Sequence, residues 1–176
     1  MTLIVLHGVE SVGKTTLGRE LASYFGAQFL PEFGRSYCEI NGTDISADEL
    51  LLIGRWQQHN IEVALTEHRI VISDTDALMT AAWARMMLGH DLPELFAARK
   101  GDLYLHCSPD TPFVSDGLRV YGNPEERARF DSMAKAVLHQ VGIRPVILRG
   151  SWDARRNTAK TAIRELIGLE PISLSS

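Results

Sequence analysis

The sequence has 176 residues and a mass of 19.6 kDa, about one domain at ~150 residues per domain, and this excludes a two-domain enzyme within that length. At 45% hydrophobic and 23% charged it sits near the globular average, so disorder, collagen and coiled coil are excluded. A net charge of −4 disfavours a nucleic-acid partner, yet 14 Arg against 4 Lys suits the binding of small planar anions such as phosphate.

In chain order, residues 2–7 (TLIVLH) are predicted to form a strand and 14–25 a helix. Further strands are predicted at 27–31, 69–73, 102–107 and 144–148, and further helices at 47–68, 77–88, 124–141 and 153–167. Several strands are apolar almost without a break, as in a parallel sheet covered on both faces. The pattern predicts an α/β fold: a five-stranded parallel sheet, helices on both faces, and one domain over 1–176. Asn123-Pro124-Glu125-Glu126 reads as a helix start, with an N-cap Asn and Pro in the first turn. Residues 108–122 show no period and contain Pro109, Pro112 and Gly117, so the region 108–130 is predicted to act as a lid.

Cys38 and Cys107 lie far apart without metal-ligand spacing, which argues against zinc. The N-terminal MTLIVLHGVES lacks the charge and cleavage pattern of a leader, and no apolar run approaches the ~20 residues of a membrane span. Reduced thiols, a cytoplasmic location and no membrane partner are therefore expected.

Gly8-Val9-Glu10-Ser11-Val12-Gly13-Lys14-Thr15 fits G-x-x-x-x-G-K-[ST] between a strand and a helix, the context that this phosphate-binding loop requires. The glycines allow loop amides to turn inward, and the helix offers its positive end to a polyphosphate. Gly8, Glu10, Ser11, Val12, Gly13, Lys14, Thr15 and Thr16 are thus the expected donor-nucleotide residues. Lys14 would reach the outer phosphates and the Thr15 hydroxyl a Mg²⁺ ion.

The strand IVISD ends in Asp74-Thr75-Asp76, and ligands of open parallel sheets bind beyond such strand ends. Asp74 is expected to tune the metal, while Asp76 reads either as a ligand contact or as a helix N-cap. Glu32 and Arg35 read either as an acid and a cation near an acceptor, or as a surface i, i+3 pair. Asp116 and Arg119 fall in the expected lid, with Arg119 placed to neutralise a transferring phosphoryl group. Arg127 and Arg129 read equally as a solvated helix face. Trp56, beside Gln57 and Gln58, offers an aromatic face with amide groups, whereas Trp83 in an Ala- and Met-rich helix is expected in the core.

Together GVESVGKTTL, PEFGRSYCE, WQQHNIE, VISDTDALMTAAW and SPDTPFVSDGLRVYGNPEERARF, spread over about residues 3–148, resemble the ribosylnicotinamide kinase domain of the bacterial NadR type. The resemblance implies a small P-loop kinase that passes the γ-phosphate of ATP, with Mg²⁺, to the 5′-hydroxyl of nicotinamide riboside. It also implies catalytic roles for Lys14, Glu32, Asp74 and Arg119, metal contacts for Thr15 and Asp74, and acceptor contacts for Glu32, Arg35, Trp56, Gln58, Asp76 and Asp116. NadR-type proteins carry an adenylyltransferase domain, and some a helix-turn-helix, before the kinase domain. Here the loop begins at residue 8, so neither activity is expected. The rival expectations are a deoxynucleoside or other nucleoside kinase, and a regulatory ATPase or GTPase that transfers to no metabolite. An Asn-Lys-x-Asp guanine-reading segment is absent, which weighs against the GTPase form.

Overall fold

A computed structural model describes residues 1–110 and 123–169. Five strands, β1 (Thr2–His7), β2 (Gln28–Leu30), β3 (Ile70–Asp74), β4 (Leu103–Cys107) and β5 (Val146–Leu148), form one sheet in the order β2-β3-β1-β4-β5. Every pairing is parallel. The helices are α1 (Lys14–Phe25), α2 (Phe33–Asn41), α3 (Ala47–Glu67), α4 (Ala77–Leu88), α5 (Pro93–Ala97), α6 (Pro124–Gln140) and α7 (Trp152–Leu166).

Strand order and handedness fix the layers. The β1-to-β2 connection runs one way along the sheet and the next three run back, so right-handed crossovers put α1 on one face and α3, α4 and α6 on the other. α1 and α7 touch each other on the first face, and α4 packs between α3 and α6 on the second. Leu3, Ile4, Val5 and Leu6 of β1 are fully buried, which explains their unbroken apolar run. The chain reverses direction in strand order beside β1, so the carboxyl ends of β1 and β3 open onto a crevice.

The predicted strand 2–7 and helices 14–25 and 77–88 match β1, α1 and α4 residue for residue, and the other predicted elements shift by one or two residues at their ends. The additions are α2 and α5, where the sequence assigns no element. α2 starts directly after Pro31-Glu32 and stops at Gly42, whose N–H reaches the Cys38 carbonyl. Tyr37 O–H donates to Glu49 Oε1 at 2.8 Å, tying α2 to the capping box that Ser46 and Glu49 form at the start of α3. At nine residues, none of them buried, α2 is too short for a helical period to be read from the sequence alone. Among the described residues, no helix is long and apolar enough to cross a membrane.

Candidate active site

The loop 8–13 leaves β1 through two glycines that no other residue replaces without strain. At Gly8, φ is +126°, and a Cβ would stand 2.5 Å from the Cys107 carbonyl oxygen. At Gly13, φ is +85°, and a Cβ would stand 2.7 Å from the Trp152 ring. Ser11 also lies in the left-handed region, at φ +59°.

The carbonyls of this loop are nearly all held by donors of the protein itself. Lys14 Nζ donates to Gly8 O at 2.9 Å and Val9 O at 3.0 Å. Arg127 Nη1 donates to Glu10 O at 2.8 Å, and the first helical bond of α1 takes Gly13 O. With those oxygens engaged, loop amides and the N-terminus of α1 remain for an anion. Behind the loop, His7 packs against His106, their Nδ1 atoms 3.3 Å apart, and burial pushes the His7 imidazole well below its ordinary value. His7 is therefore neutral and adds no charge beneath the loop.

Thr15, in the first turn of α1, donates its hydroxyl hydrogen to Asp74 Oδ2 at the end of β3. Asp74 is 1% exposed, and its Oδ1 makes no hydrogen bond to the described residues. A buried carboxylate oxygen without a partner beside a hydroxyl is a hard-oxygen donor set of the kind Mg²⁺ takes together with phosphate oxygens and water. Residues 75 and 76 divide differently. Thr75 lines the cleft in a left-handed conformation, φ +75°, rare for a β-branched residue and of the sort found at ligand sites.

A cleft of ≈ 350 Å³ joins these parts. One end is the loop itself, with Gly8, residues 10–13, Lys14, Thr15 and Thr16 on its wall. The middle is Glu32, Gly34, Arg35 and Cys38 from the start of α2. The far wall is apolar: Leu50 and Ile53 of α3 with Met79, Trp83 and Met87 of α4. Glu32 is the electrostatic centre of the middle section. Burial pushes its carboxyl up to about 7; Asp74 and Glu10 add to the rise, while Lys14 and Arg35 oppose it.

The structure therefore brings together every predicted loop residue with Glu32, Arg35 and Asp74. It does not bring Trp56, Gln58 or Asp76 to the cleft. Trp56 is 46% exposed and stacks on Phe33 with ring centroids 5.9 Å apart, and Gln58 donates to Glu62 on the outer face of α3. One position along the helix, Gln57 points inward. Its Oε1 accepts the Phe33 N–H at 2.8 Å, its Nε2 donates to Ser73 Oγ at 3.0 Å, and it lines the cleft. Asp76 is buried as the N-cap of α4, accepting the N–H of Leu78 and of Met79, and it also accepts the Tyr104 O–H. Trp83, expected in the core, is only half-buried: it packs on Phe130 and presents its other side to the cleft.

Asp116 and Arg119 lie outside the described residues. Of the pair on α6, Arg127 is buried against the loop and Arg129 is exposed. A second buried arginine, Arg155 of α7, is one to which the sequence assigns no role. Its period with Ala159 and Ile163 is the signal that would have placed it inward.

A family model described as an AAA domain matches residues 3–155. The trifunctional NAD biosynthesis/regulator protein NadR of Escherichia coli (strain K12) is 27% identical over 175 residues, covering 94% of this chain and 42% of NadR. NadR of Salmonella typhimurium (strain LT2) is 26% identical with the same coverage. The chain thus spans less than half the length of the curated relatives it matches. A crystal structure of NadR in complex with NR superposes with a TM-score of 0.84 at 27% identity, over 99% of this chain and 54% of that one. A thymidylate kinase from Ehrlichia chaffeensis, at 17% identity, superposes with a TM-score of 0.69 over 94% of this chain and 98% of its own, a likeness of fold. The NadR-type resemblance and the P-loop NTPase fold are both borne out. With a family match over most of its length and a phosphate loop of the geometry described, the chain belongs to the AAA domain family.

Proposed function

We propose that the chain is an ATP- and Mg²⁺-dependent kinase that phosphorylates the 5′-hydroxyl of a nucleoside-like molecule, with nicotinamide riboside the favoured acceptor and nicotinamide mononucleotide the product. The observation that carries this reading is the shared cleft: Glu32 and Arg35 line the same cavity as Lys14 and Thr15. A protein that only binds and hydrolyses a nucleotide has no need of a second compartment with an acid at its junction.

The chemistry follows from the positions. The loop amides and Lys14 hold the donor phosphates, Lys14 exchanging its loop carbonyls for phosphate oxygens. Thr15 and Asp74 would hold the Mg²⁺ of the ATP complex. The metal supplies neutralisation of charge on the β- and γ-phosphate oxygens when bound. The acceptor 5′-oxygen attacks the γ-phosphorus as the bond to the bridging oxygen breaks, ADP departs, and Glu32 takes the hydroxyl proton. A carboxyl pushed up to about 7 is matched to that task near neutral pH. The apolar wall of Ile53, Met79 and Trp83 suits a planar ring, and a NadR structure has been solved with NR, which supports the choice of acceptor. The same reading places the protein in the cytoplasm, in keeping with the free thiols Cys38 and Cys107.

The test is a transfer assay with purified protein, Mg²⁺-ATP and a panel of nicotinamide riboside and deoxynucleosides. Formation of nicotinamide mononucleotide is the expected result. Phosphorylation of a deoxynucleoside alone moves the acceptor to that class, and ATP hydrolysis with no phosphorylated acceptor replaces the kinase reading with a regulatory ATPase.

A further inference from the structure

Arg155 is fully buried, although it carries a full charge. Its guanidinium is spread over three separate parts of the chain. Nε donates to Gly150 O at 3.1 Å, in the turn before α7. Nη2 donates to Ser108 O at 3.1 Å and pairs with the Asp110 carboxylate, just after β4. Nη1 donates to Val12 O at 3.5 Å, inside the phosphate loop. Asp110 also accepts the Gly150 N–H at 2.7 Å, which closes the ring of contacts around the arginine. Burial of a cation is costly unless every donor is used, and a planar fork of five N–H groups is the side chain that serves this many acceptors at once.

The contact with Val12 sets the aim of a neighbouring amide. In a trans peptide the C=O of one residue and the N–H of the next point in opposite directions. Turning the Val12 carbonyl toward Arg155 therefore turns the Gly13 N–H away from it, at the glycine from which α1 begins. The same logic applies at the other end of the loop, where Arg127 holds Glu10 O and so orients the Ser11 N–H.

We infer that Arg155 is a positioning residue for the donor phosphates: it touches no phosphate itself, and it fixes the Val12–Gly13 peptide so that the loop is ordered for an anion before one arrives. This rests on the reading of residues 8–15 as a phosphate cradle. Preordering of this kind lowers the cost of binding and leaves the acceptor compartment untouched.

The probe is inorganic tripolyphosphate, which has no base or sugar, with affinity measured by calorimetry on full-length protein. Arg155→Met keeps much of the side-chain length and donates nothing, so tripolyphosphate affinity is expected to fall about tenfold or more. The KM for the acceptor at saturating ATP is expected to stay within about twofold. Asp110→Asn removes the ion pair and leaves the Val12 contact, so it lowers Tm but keeps tripolyphosphate affinity within about twofold. If Arg155→Met does not fold, Arg155→Lys decides, because an ammonium cannot span carbonyls from three segments and affinity falls several-fold. Wild-type affinity in the folded arginine variant overturns the inference, as does an equal loss in Asp110→Asn. Wild-type protein that binds no tripolyphosphate removes the phosphate-cradle reading and takes this inference with it.

Discussion

Thr15 donates its hydroxyl hydrogen to Asp74, joining the first turn of α1 to the end of β3 and leaving the second Asp74 oxygen buried without a partner among the described residues. An acid held this way is poised to accept a cation. Asp74→Asn keeps the shape and removes the charge. Turnover is expected to fall about 100-fold or more at saturating Mg²⁺, since several kcal/mol of charge stabilisation depends on the metal. Metal-free tripolyphosphate affinity is expected to be unchanged. Initial rates across a Mg²⁺ series check this, and a variant with a wild-type Mg²⁺ response would remove Asp74 from the metal site.

Glu32 carries opposite expectations for activity and stability. Its carboxyl is pushed from an ordinary 4.5 up to about 7, so between those values the folded protein keeps a proton that the unfolded chain has released. The stability linked to Glu32 is therefore full below pH ~4.5 and is lost as pH rises through ~7. Glu32→Gln cannot ionise, and its Tm is expected to exceed the wild type's by roughly 2–5 °C at pH 8, with the gap closing near pH 4.5. Turnover should fall by about 10²- to 10⁴-fold in the same variant, and the wild-type rate should rise with pH up to about 7. Melting curves and rate profiles at matched pH test both. A variant that loses stability and activity together would make Glu32 a structural residue.

The layers and the phosphate loop were legible because they depend on local signals: apolar runs of strand length, helical spacing, and a motif whose flanks had to be strand and helix. The middle of the cleft, around Glu32, was legible only in part. Glu32 and Arg35 stood out as charges after a strand, but the helix that Glu32 precedes and Arg35 belongs to is only nine residues long, too short for its period to be read. Trp56, Gln57 and Gln58 are adjacent, so each points about 100° from the last around α3. The resemblance implied the first and third, and the packing of α3 on β3 puts Gln57 inward. Arg155 was passed over and Arg127 left open for a related reason: a sequence shows a cation, while its burial depends in part on carbonyls contributed by residues more than a hundred positions away.

Gln57 holds the start of α2 against β3 and therefore sets the shape of the middle of the cleft. Gln57→Ala leaves the part-buried Phe33 N–H and the buried Ser73 hydroxyl without this partner, at an expected cost of about 1–3 kcal/mol. The acceptor KM should rise more than that of ATP, because Glu32 and Arg35 move with α2. Trp56→Ala and Gln58→Ala should each leave kcat/KM within about twofold. Steady-state kinetics on the three variants decide; a large loss in Trp56→Ala or Gln58→Ala alone would return the outer face of α3 to the acceptor site.

Asp76 stands two residues from Asp74 and does different work. It caps α4 with two backbone N–H bonds and accepts the Tyr104 O–H, while burial pushes its carboxyl up to about 6. Asp76→Ala removes a cap, worth ~1 kcal/mol, and strands a buried hydroxyl, a further ~1–3 kcal/mol, so Tm is expected to fall by roughly 5–12 °C. Because the raised carboxyl favours its protonated form in the folded state, its contribution is full below pH ~4 and declines as pH rises through ~6. The deficit of Asp76→Ala should therefore be larger at pH 5 than at pH 8. Measured well below its Tm, the folded variant should keep turnover within a few-fold of wild type, in contrast to Asp74→Asn. Thermal melts at the two pH values, paired with rates per folded molecule, separate the two acids. A loss of turnover in Asp76→Ala as deep as in Asp74→Asn, without a fall in Tm, would place Asp76 among the reacting groups and remove it from the frame of α4.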